Sequence, residues 1–504
     1  MSPTSQAAAS RRGHAAATFD SLDPATGEVV GTHPVHTEEE VRAAVDSART
    51  EAAWWADLGF TVRKRHLTAW KAALVQRLPE LIETVHRETG KPVGDATLEA
   101  GLAIEHIGWA AGHARRVLGR RKVSPGLLMV NQSASVAYKP LGVIGVIGPW
   151  NYPVFTPLGS IAYALAAGNA VVFKPSEYTP GVGVWLAERF EEAVGRPVLQ
   201  VVTGLGATGA ALCHAGADKI AFTGSTATGK KVMAACAETL TPVVIEAGGK
   251  DAVIVDADAD IPAAADAALW GACGNAGQTC IGVERVYVHE QVYDEFVDAL
   301  TTKAAGLHAG ADGKIGPITM PSQLHVIRRH MQDALDKGGR AVVGGLDAVG
   351  ERYVQPTILV DVPENSLAVQ EETFGPTMTV AKVRDMDEAI ELTNATAYGL
   401  GNTVFSKRHG MIVAERIRSG MSAVNGMISF AGIPSLPFGG VGDSGFGRIH
   451  GPDGLKEFTY AKAIARQRFR PMLTLTTFDR TEKTDRLFTR VIGLLHGPRT
   501  RKEP

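Results

Sequence analysis

From residue 142 onward, short apolar runs alternate with segments of helical period, and this alternation leaves few architectures open. Residues 143–147 (VIGVI), 170–173 (AVVF), 199–202 (LQVV), 219–222 (KIAF) and 242–245 (PVVI) are each followed by a Gly- or Pro-bearing turn and a helix-like stretch. Strands separated by helices read as βαβ units, that is, a parallel sheet with helices on both faces. A second series at 252–255, 285–288, 357–360, 377–380 and 402–405 repeats the pattern. The expected class is therefore α/β with two such units, the first a Rossmann-like sheet.

Upstream, Thr37 and Glu40 form a capping box before apolar residues at helical spacing, and 63–118 reads as more helix. Residues 127–140 read as two short strands with a polar turn, a hairpin ahead of the first sheet strand. Residues 1–17 read as a disordered tail: Arg11-Arg12 is followed by no apolar core of the kind an export signal needs. Near the end, Thr484 is expected to N-cap an amphipathic helix running to His496, followed by Arg499, Arg501 and Lys502. That helix is either packed on its own or a partner subunit, or a lid with weak peripheral membrane attachment.

Composition excludes several classes. With 504 residues, 45% of them hydrophobic, the chain can bury a large core, and a net charge of −2 argues against a nucleic-acid-binding face. Four cysteines cannot staple a chain of this length and fit a reducing cytoplasmic setting. No run of 18 apolar residues occurs, so no membrane-spanning helix is expected, and no metal-ligand pattern stands out.

Two glycine-rich segments resemble phosphate-binding motifs without completing them. Gly204-Leu205-Gly206-Ala207-Thr208-Gly209 matches G-x-G-x-x-G, but no acid follows about 20 residues on. Gly224-Ser225-Thr226-Ala227-Thr228-Gly229-Lys230-Lys231 lacks the hydroxyl that would hold Mg²⁺. Nucleotide hydrolysis is thus disfavoured, whereas anion binding at a helix start survives. Lys174-Pro175-Ser176-Glu177 follows a strand, where nucleotides bind in open sheets, although an isolated motif of this kind is more often a surface ion pair.

Cys280, in Gly277-Gln278-Thr279-Cys280, follows the loop-like Gly274-Asn275-Ala276-Gly277, a poor place to bury a side chain. Glu246 ends an apolar strand and precedes Gly248 and Gly249. Either could be inert: a core thiol, or an acid that caps a turn.

Taken together, seven ordered motifs resemble the aldehyde dehydrogenase superfamily over about residues 20–470. They are Pro149-Trp150-Asn151-Tyr152-Pro153, Lys174-Pro175-Ser176-Glu177, Phe222-Thr223-Gly224-Ser225, Glu246-Ala247-Gly248-Gly249-Lys250, Gly277-Gln278-Thr279-Cys280, Glu371-Glu372-Thr373-Phe374-Gly375-Pro376 and Pro437-Phe438-Gly439-Gly440. The 34 residues from Glu246 to Cys280 and the 23 from Asn151 to Lys174 agree with the family spacing.

The resemblance implies a coenzyme domain (18–120 and 141–245, with 444–458 returning to it) and a catalytic domain (246–443). It also implies an oligomerisation arm (121–140 and 459–470), beyond which 471–504 is an extension. It implies that Cys280 attacks the aldehyde to give a thiohemiacetal. Asn151 and the Cys280 backbone N–H would hold the oxyanion, and Glu246 would activate the water that cleaves the thioester left after hydride transfer. The implied coenzyme is NAD, with NADP as the other candidate. Lys174 and Glu177 would meet the adenine ribose, Ser225 the pyrophosphate, Glu372 the nicotinamide ribose and Phe374 the ring; Trp150, Ser176, Gly206, Gly224 and Gly248 complete the surface.

Tyr152, Phe155, Thr279, Ile281 and Phe438 would line the substrate pocket, with Gly159 leaving room. Residues 154–160 carry no arginine, which succinic-semialdehyde members use for the distal carboxylate, so an apolar aliphatic or aromatic aldehyde is expected. A succinic-semialdehyde-type enzyme is the alternative. Position 273 is Cys where Phe is common, and 247 is Ala where Leu is usual. A coenzyme-independent thiol hydrolase would have no use for Lys174, Glu177 and Glu372; a non-catalytic scaffold would have none for Cys280, Glu246 and Asn151. A homo-oligomer, dimer or tetramer, is implied.

Overall fold

The computed structural model describes residues 17–471 and 473–497. Nearly all of the expected tail and the basic residues Arg499, Arg501 and Lys502 lie outside them. The chain forms two compact units: the larger holds the residues up to Leu118 and Lys139–Tyr460, the smaller Gly119–Tyr138 and the residues from Ala461 on.

All ten apolar runs are strands, in two sheets of the larger unit. The first sheet has six strands in the order Gly445–Phe446, Val243–Ala247, Lys219–Gly224, Val143–Ile147, Ala170–Lys174, Leu199–Val201. All pair in parallel except the short Gly445–Phe446. Every residue of Val143–Ile147 and Ala170–Lys174 is buried, as a strand covered on both faces requires. From Val143–Ile147 the chain moves outward on one side, then returns to build Lys219–Gly224 and Val243–Ala247 on the other. That reversal of direction opens a crevice beyond the carboxyl ends of Val143–Ile147 and Lys219–Gly224.

The second sheet has seven strands, ordered Arg340–Val343, Thr357–Val360, Thr377–Val383, Arg285–His289, Ala252–Val255, Asn402–Phe405, Ala423–Val424. Only Arg340–Val343 pairs antiparallel. Val243–Ala247 of the first sheet leads within four residues into Ala252–Val255 of the second, so Glu246 stands at the junction of the two.

The capping box is present: Thr37 caps the helix Glu38–Asp57, and the Glu40 side chain returns to the Thr37 N–H at 2.8 Å. The helix Phe155–Ala167 is apolar on all sides and buried throughout but for Phe155. Trp55, on Glu38–Asp57, ties to it by donating Nε1–H to the Leu165 carbonyl at 2.8 Å.

Two expectations need correction. Residues 127–140 are not a hairpin: 127–129 is a 3₁₀ turn, and Gln132–Pro140 is one strand that pairs with Arg121–Val123. The reversal runs through residues 124–131, which hold the 3₁₀ turn and Gly126 at φ 76°, so Gln132 and Ser133 belong to the strand and not to a turn. The terminal helix, Glu482–His496, is capped by Thr481, whose hydroxyl accepts from the Thr484 N–H; Thr484 lies in its first turn. A hairpin of Thr18–Leu22 with Val29–Pro34 was not foreseen. Among the described residues no helix is long and apolar enough to cross a membrane.

Candidate active site

The helix Ile261–Cys273, N-capped by the Asp260 carboxylate, delivers the chain to the turn Gly274–Gly277. Contrary to expectation this turn is buried, with Asn275 4% and Ala276 1% exposed. Its polar groups are satisfied from within. Asn275 Nδ2 donates to the Asn151 carbonyl at 3.0 Å and the Gln278 carbonyl at 3.1 Å, and its N–H to Asp95 at 3.3 Å. Asn275 (φ 51°) and Ala276 (φ 55°) are left-handed, a strain of about 1–3 kcal/mol each that the surrounding contacts must hold. Gly277 (φ 72°) is obligatory, because a Cβ there would sit 2.1 Å from the Gly375 carbonyl oxygen. Cys273 is buried in the second sheet's core, where burial pushes its thiol up to about 12.

Cys280 lies where two cavities meet. One is narrow, about 80 Å³, and lined by Leu98, Leu102, Tyr152, Phe155, Trp270, Ile281 and Phe438, with Asp95, Glu99 and Thr279. The five residues expected in the substrate pocket all face it; Leu98, Leu102 and Trp270 were not foreseen. No lysine or arginine is among the described residues lining it. Gly159 is not part of it: a Cβ there would lie 2.5 Å from His450 Nε2, so this glycine makes room for a histidine, not for substrate.

The second cavity, about 230 Å³, is lined by Trp150, Asn151, Gly224, Ser225, Glu246, Gly248, Glu372 and Phe374. It adjoins a larger crevice, about 610 Å³, that reaches Lys174, Ser176, Glu177, Gly206, Gly224 and Ser225 at the strand ends. Every residue expected to meet coenzyme lines one or the other.

Glu246 is 3% exposed, and neither carboxylate oxygen has a hydrogen-bond partner. Burial raises its pKa to about 7, opposed in part by the Cys280 thiol and Thr223 beside it. The Cys280 thiol is held well above its ordinary value, first by burial and then by the Glu246 and Glu372 carboxylates. A neutral thiol thus faces an acid that titrates near neutrality.

Asn151, just past the strand Val143–Ile147, donates Nδ2 to the Gln278 carbonyl at 2.9 Å. Tyr152 and Thr279 join through their hydroxyls at 3.0 Å. On the coenzyme side, Glu177 accepts from Lys174 at 3.4 Å and Ser176 at 3.3 Å. Lys174 is only 4% exposed, so of the pair only Glu177 meets solvent. Ser225 caps the helix Thr226–Ala237, which starts where the strand Lys219–Gly224 ends. A Cβ on Gly206 would meet no atom within 4 Å, so its missing side chain leaves the crevice clear. Glu372 accepts from the Gly249 N–H at 3.0 Å, and a Cβ on Gly248 would lie 2.3 Å from its carboxylate. Phe374 (φ 54°) meets Trp150 edge-on at 5.6 Å. Glu284 holds that loop by accepting from the Thr373 N–H at 2.7 Å and the Phe374 N–H at 2.9 Å, and is itself paired with buried Lys250. A dinucleotide fits this set: two carboxylates for riboses, a helix start for pyrophosphate, and a glycine-cleared wall.

Sequence reasoning missed Lys91, Asp95 and Glu99, which reach the site from the helix Val93–Leu118 and the link before it. Their signal was slight: a lysine between Gly90 and Pro92, then two acids one helical turn apart.

The chain matches the model of the aldehyde dehydrogenase family over residues 11–464. It is 37% identical to a 4,4'-diapolycopene aldehyde oxidase of Methylomonas sp over 452 residues, 88% of this chain and 84% of that protein. It is 35% identical to a glutarate-semialdehyde dehydrogenase of Pseudomonas aeruginosa, covering 88% of this chain and 92% of the relative. Among solved structures, an NAD-dependent aldehyde dehydrogenase from Sinorhizobium meliloti superposes with a TM-score of 0.86 at 33% identity, over 92% of this chain and 93% of that one. An NADP-dependent enzyme of E. coli superposes with a TM-score of 0.85, also at 33% identity, over 90% and 95%. A two-sheet α/β chain with a thiol between an apolar channel and a dinucleotide-shaped crevice thus belongs to the aldehyde dehydrogenase family.

Proposed function

We propose that this enzyme oxidises apolar aldehydes to carboxylic acids with NAD through Cys280. The observation that carries the reading is the place of Cys280, at the meeting of the channel and the crevice. Aldehyde enters through one and coenzyme lies in the other, so both reach the same sulfur. Glu246 removes the thiol proton, and Sγ adds to the aldehyde carbon to give a thiohemiacetal. The Asn151 amide and the Cys280 N–H hold the oxygen as it gains charge; each such donor contributes about 3–4 kcal/mol. Bound coenzyme would supply the hydride acceptor. Glu246, having passed the thiol proton to solvent, takes a proton from the water that attacks the thioester and returns it to the departing sulfur, releasing acid and thiol. Its lack of a fixed hydrogen bond leaves both oxygens available for these two tasks.

Substrate polarity follows from the channel. Of its two acids Glu99 is neutralised by Lys91, so the distal carboxylate of a semialdehyde would meet Asp95 and no free cation. NAD is preferred because Glu177 would face the 2′-hydroxyl, where a 2′-phosphate is repelled. The chain acts as a homo-oligomer through the arm around 121–140: Leu127, Met129 and Val130 are 73%, 50% and 63% exposed. The helix Glu482–His496, which buries no residue, keeps its apolar face for a second protomer. The experiment that tests the main reading follows A340 with NAD against hexanal, benzaldehyde and succinic semialdehyde. A higher kcat/KM for succinic semialdehyde than for hexanal overturns the apolar assignment.

A further inference from the structure

Lys91 is a lysine with no exposed side-chain surface, in the link between the helices Leu78–Thr89 and Val93–Leu118. Its ammonium donates to Glu99 Oε2 at 2.6 Å and to the Asn151 backbone carbonyl at 2.7 Å, and lies 4.2 Å from the centroid of the Tyr152 ring. The other oxygen of Glu99 accepts from the Val154 N–H at 2.7 Å and the Phe155 N–H at 3.1 Å, where the helix Phe155–Ala167 begins. Asn275 donates to the same Asn151 carbonyl at 3.0 Å. One carbonyl oxygen therefore takes two donors from separate elements, and the residues after it are held by the partner of one donor.

This fixes the Asn151–Tyr152 peptide plane, and with it the root of the Asn151 side chain. That side chain sends one amide hydrogen to the Gln278 carbonyl, leaving the other for the oxygen on the carbon bound to Cys280. Replacing a buried ion pair by apolar groups of similar volume is often neutral for folding, whereas removing one partner is costly. The Lys91–Glu99 pair is therefore a poor stability device, and its value lies in orientation.

We propose that Lys91, with Glu99 as its counter-charge, is a positioning residue that aims the Asn151 amide at the developing oxyanion. The proposal rests on Asn151 being an oxyanion donor. A misplacement of about 1 Å in such a group costs roughly 10²-fold in rate.

The test is a cycle with the double variant Lys91→Met/Glu99→Gln, which removes both charges together while the amide oxygen introduced at position 99 can still accept from Val154 and Phe155. It is made in the wild-type and the Asn151→Ala backgrounds, and the burst rate of NADH formation and the NADH dissociation constant are measured. The expected burst falls about 10²-fold in the wild-type background, and by no more than about threefold once Asn151 is gone, with NADH affinity unchanged. Equal losses in both backgrounds, or no loss with Asn151 present, overturn the role of Lys91 alone. A wild-type burst in Asn151→Ala itself overturns the oxyanion reading, and the proposal with it.

Discussion

The side-chain amide of Asn151 donates to the Gln278 backbone carbonyl at 2.9 Å, joining the end of a strand in the first sheet to the loop that carries Cys280. The two residues are 127 positions apart in sequence. In the proposed mechanism this sets the oxyanion donor and the nucleophile against each other before any substrate arrives, which is what low-reorganisation catalysis requires.

Cys280→Ala is expected to leave less than about 1% of aldehyde oxidation, since loss of a covalent nucleophile costs several orders of magnitude. Coenzyme affinity, read by fluorescence titration, stays within about twofold, because the residues lining the larger crevice are untouched. Turnover above that level would remove Cys280 from the chemistry.

Glu246→Gln is expected to slow deacylation by roughly 10²–10⁴-fold, with a stoichiometric NADH burst ahead of a slow steady state. In the wild type, the deacylation rate rises with pH through about 7 and is flat above, because the base works only when deprotonated and burial holds it at about 7. Stopped-flow absorbance from pH 5.5 to 8.5 checks both; a deacylation rate that does not vary with pH would assign the base elsewhere.

The same burial has a stability consequence. The folded protein keeps Glu246 protonated up to about pH 7, against an ordinary value of 4.5, so between these values it binds more protons than the unfolded chain. Stability contributed by this group is full below about pH 4.5 and is lost as pH rises through about 7, a change on the order of 3 kcal/mol. Glu246→Gln escapes that loss. Its Tm advantage over wild type is expected to be largest above pH 7 and to close towards pH 4.5 in calorimetry.

Glu177→Gln is expected to raise kcat/KM for NADP relative to NAD by about tenfold. Removing the carboxylate takes a like charge away from a 2′-phosphate and leaves Lys174, 3.4 Å away, free to pair with it. Equal coenzyme ratios in variant and wild type would show that Glu177 does not face the ribose.

Deleting residues 481–504 is expected to lower Tm and shift light scattering towards smaller species, with hexanal and propanal affected alike. Loss confined to long-chain aldehydes would make the segment a lid. Co-sedimentation of the full-length enzyme with anionic vesicles would add a membrane role.

The strands were legible because their signal is local. A run such as 252–255, apolar at every position and bounded by turns, can be satisfied only between two covered faces. The Thr37–Glu40 capping box was legible for the same reason, since both of its hydrogen bonds close within three residues. The motif residues could be named from resemblance, yet nothing in their order says that Cys280 opens onto two cavities or that both Glu246 oxygens go unpaired. Those facts arise where the two sheets join.

Local cues also misled. Gly274–Gly277 read as exposed because glycines and an asparagine favour loops, but Asn275 finds its partners in Asn151, Gln278 and Asp95 and is buried. Gly159 read as space for substrate, and the space belongs to His450, 291 positions downstream. Lys91 and Glu99 drew no notice within the helical stretch 63–118. A buried ion pair is stable only where its remaining donors and acceptors are met, and Asn151, Val154 and Phe155, which meet them, are brought there by tertiary packing alone. Periodicity and turn chemistry act over a few residues and were carried by the sequence itself; the aim of each polar group depended on distant partners and was decided only when the sheets and helices packed.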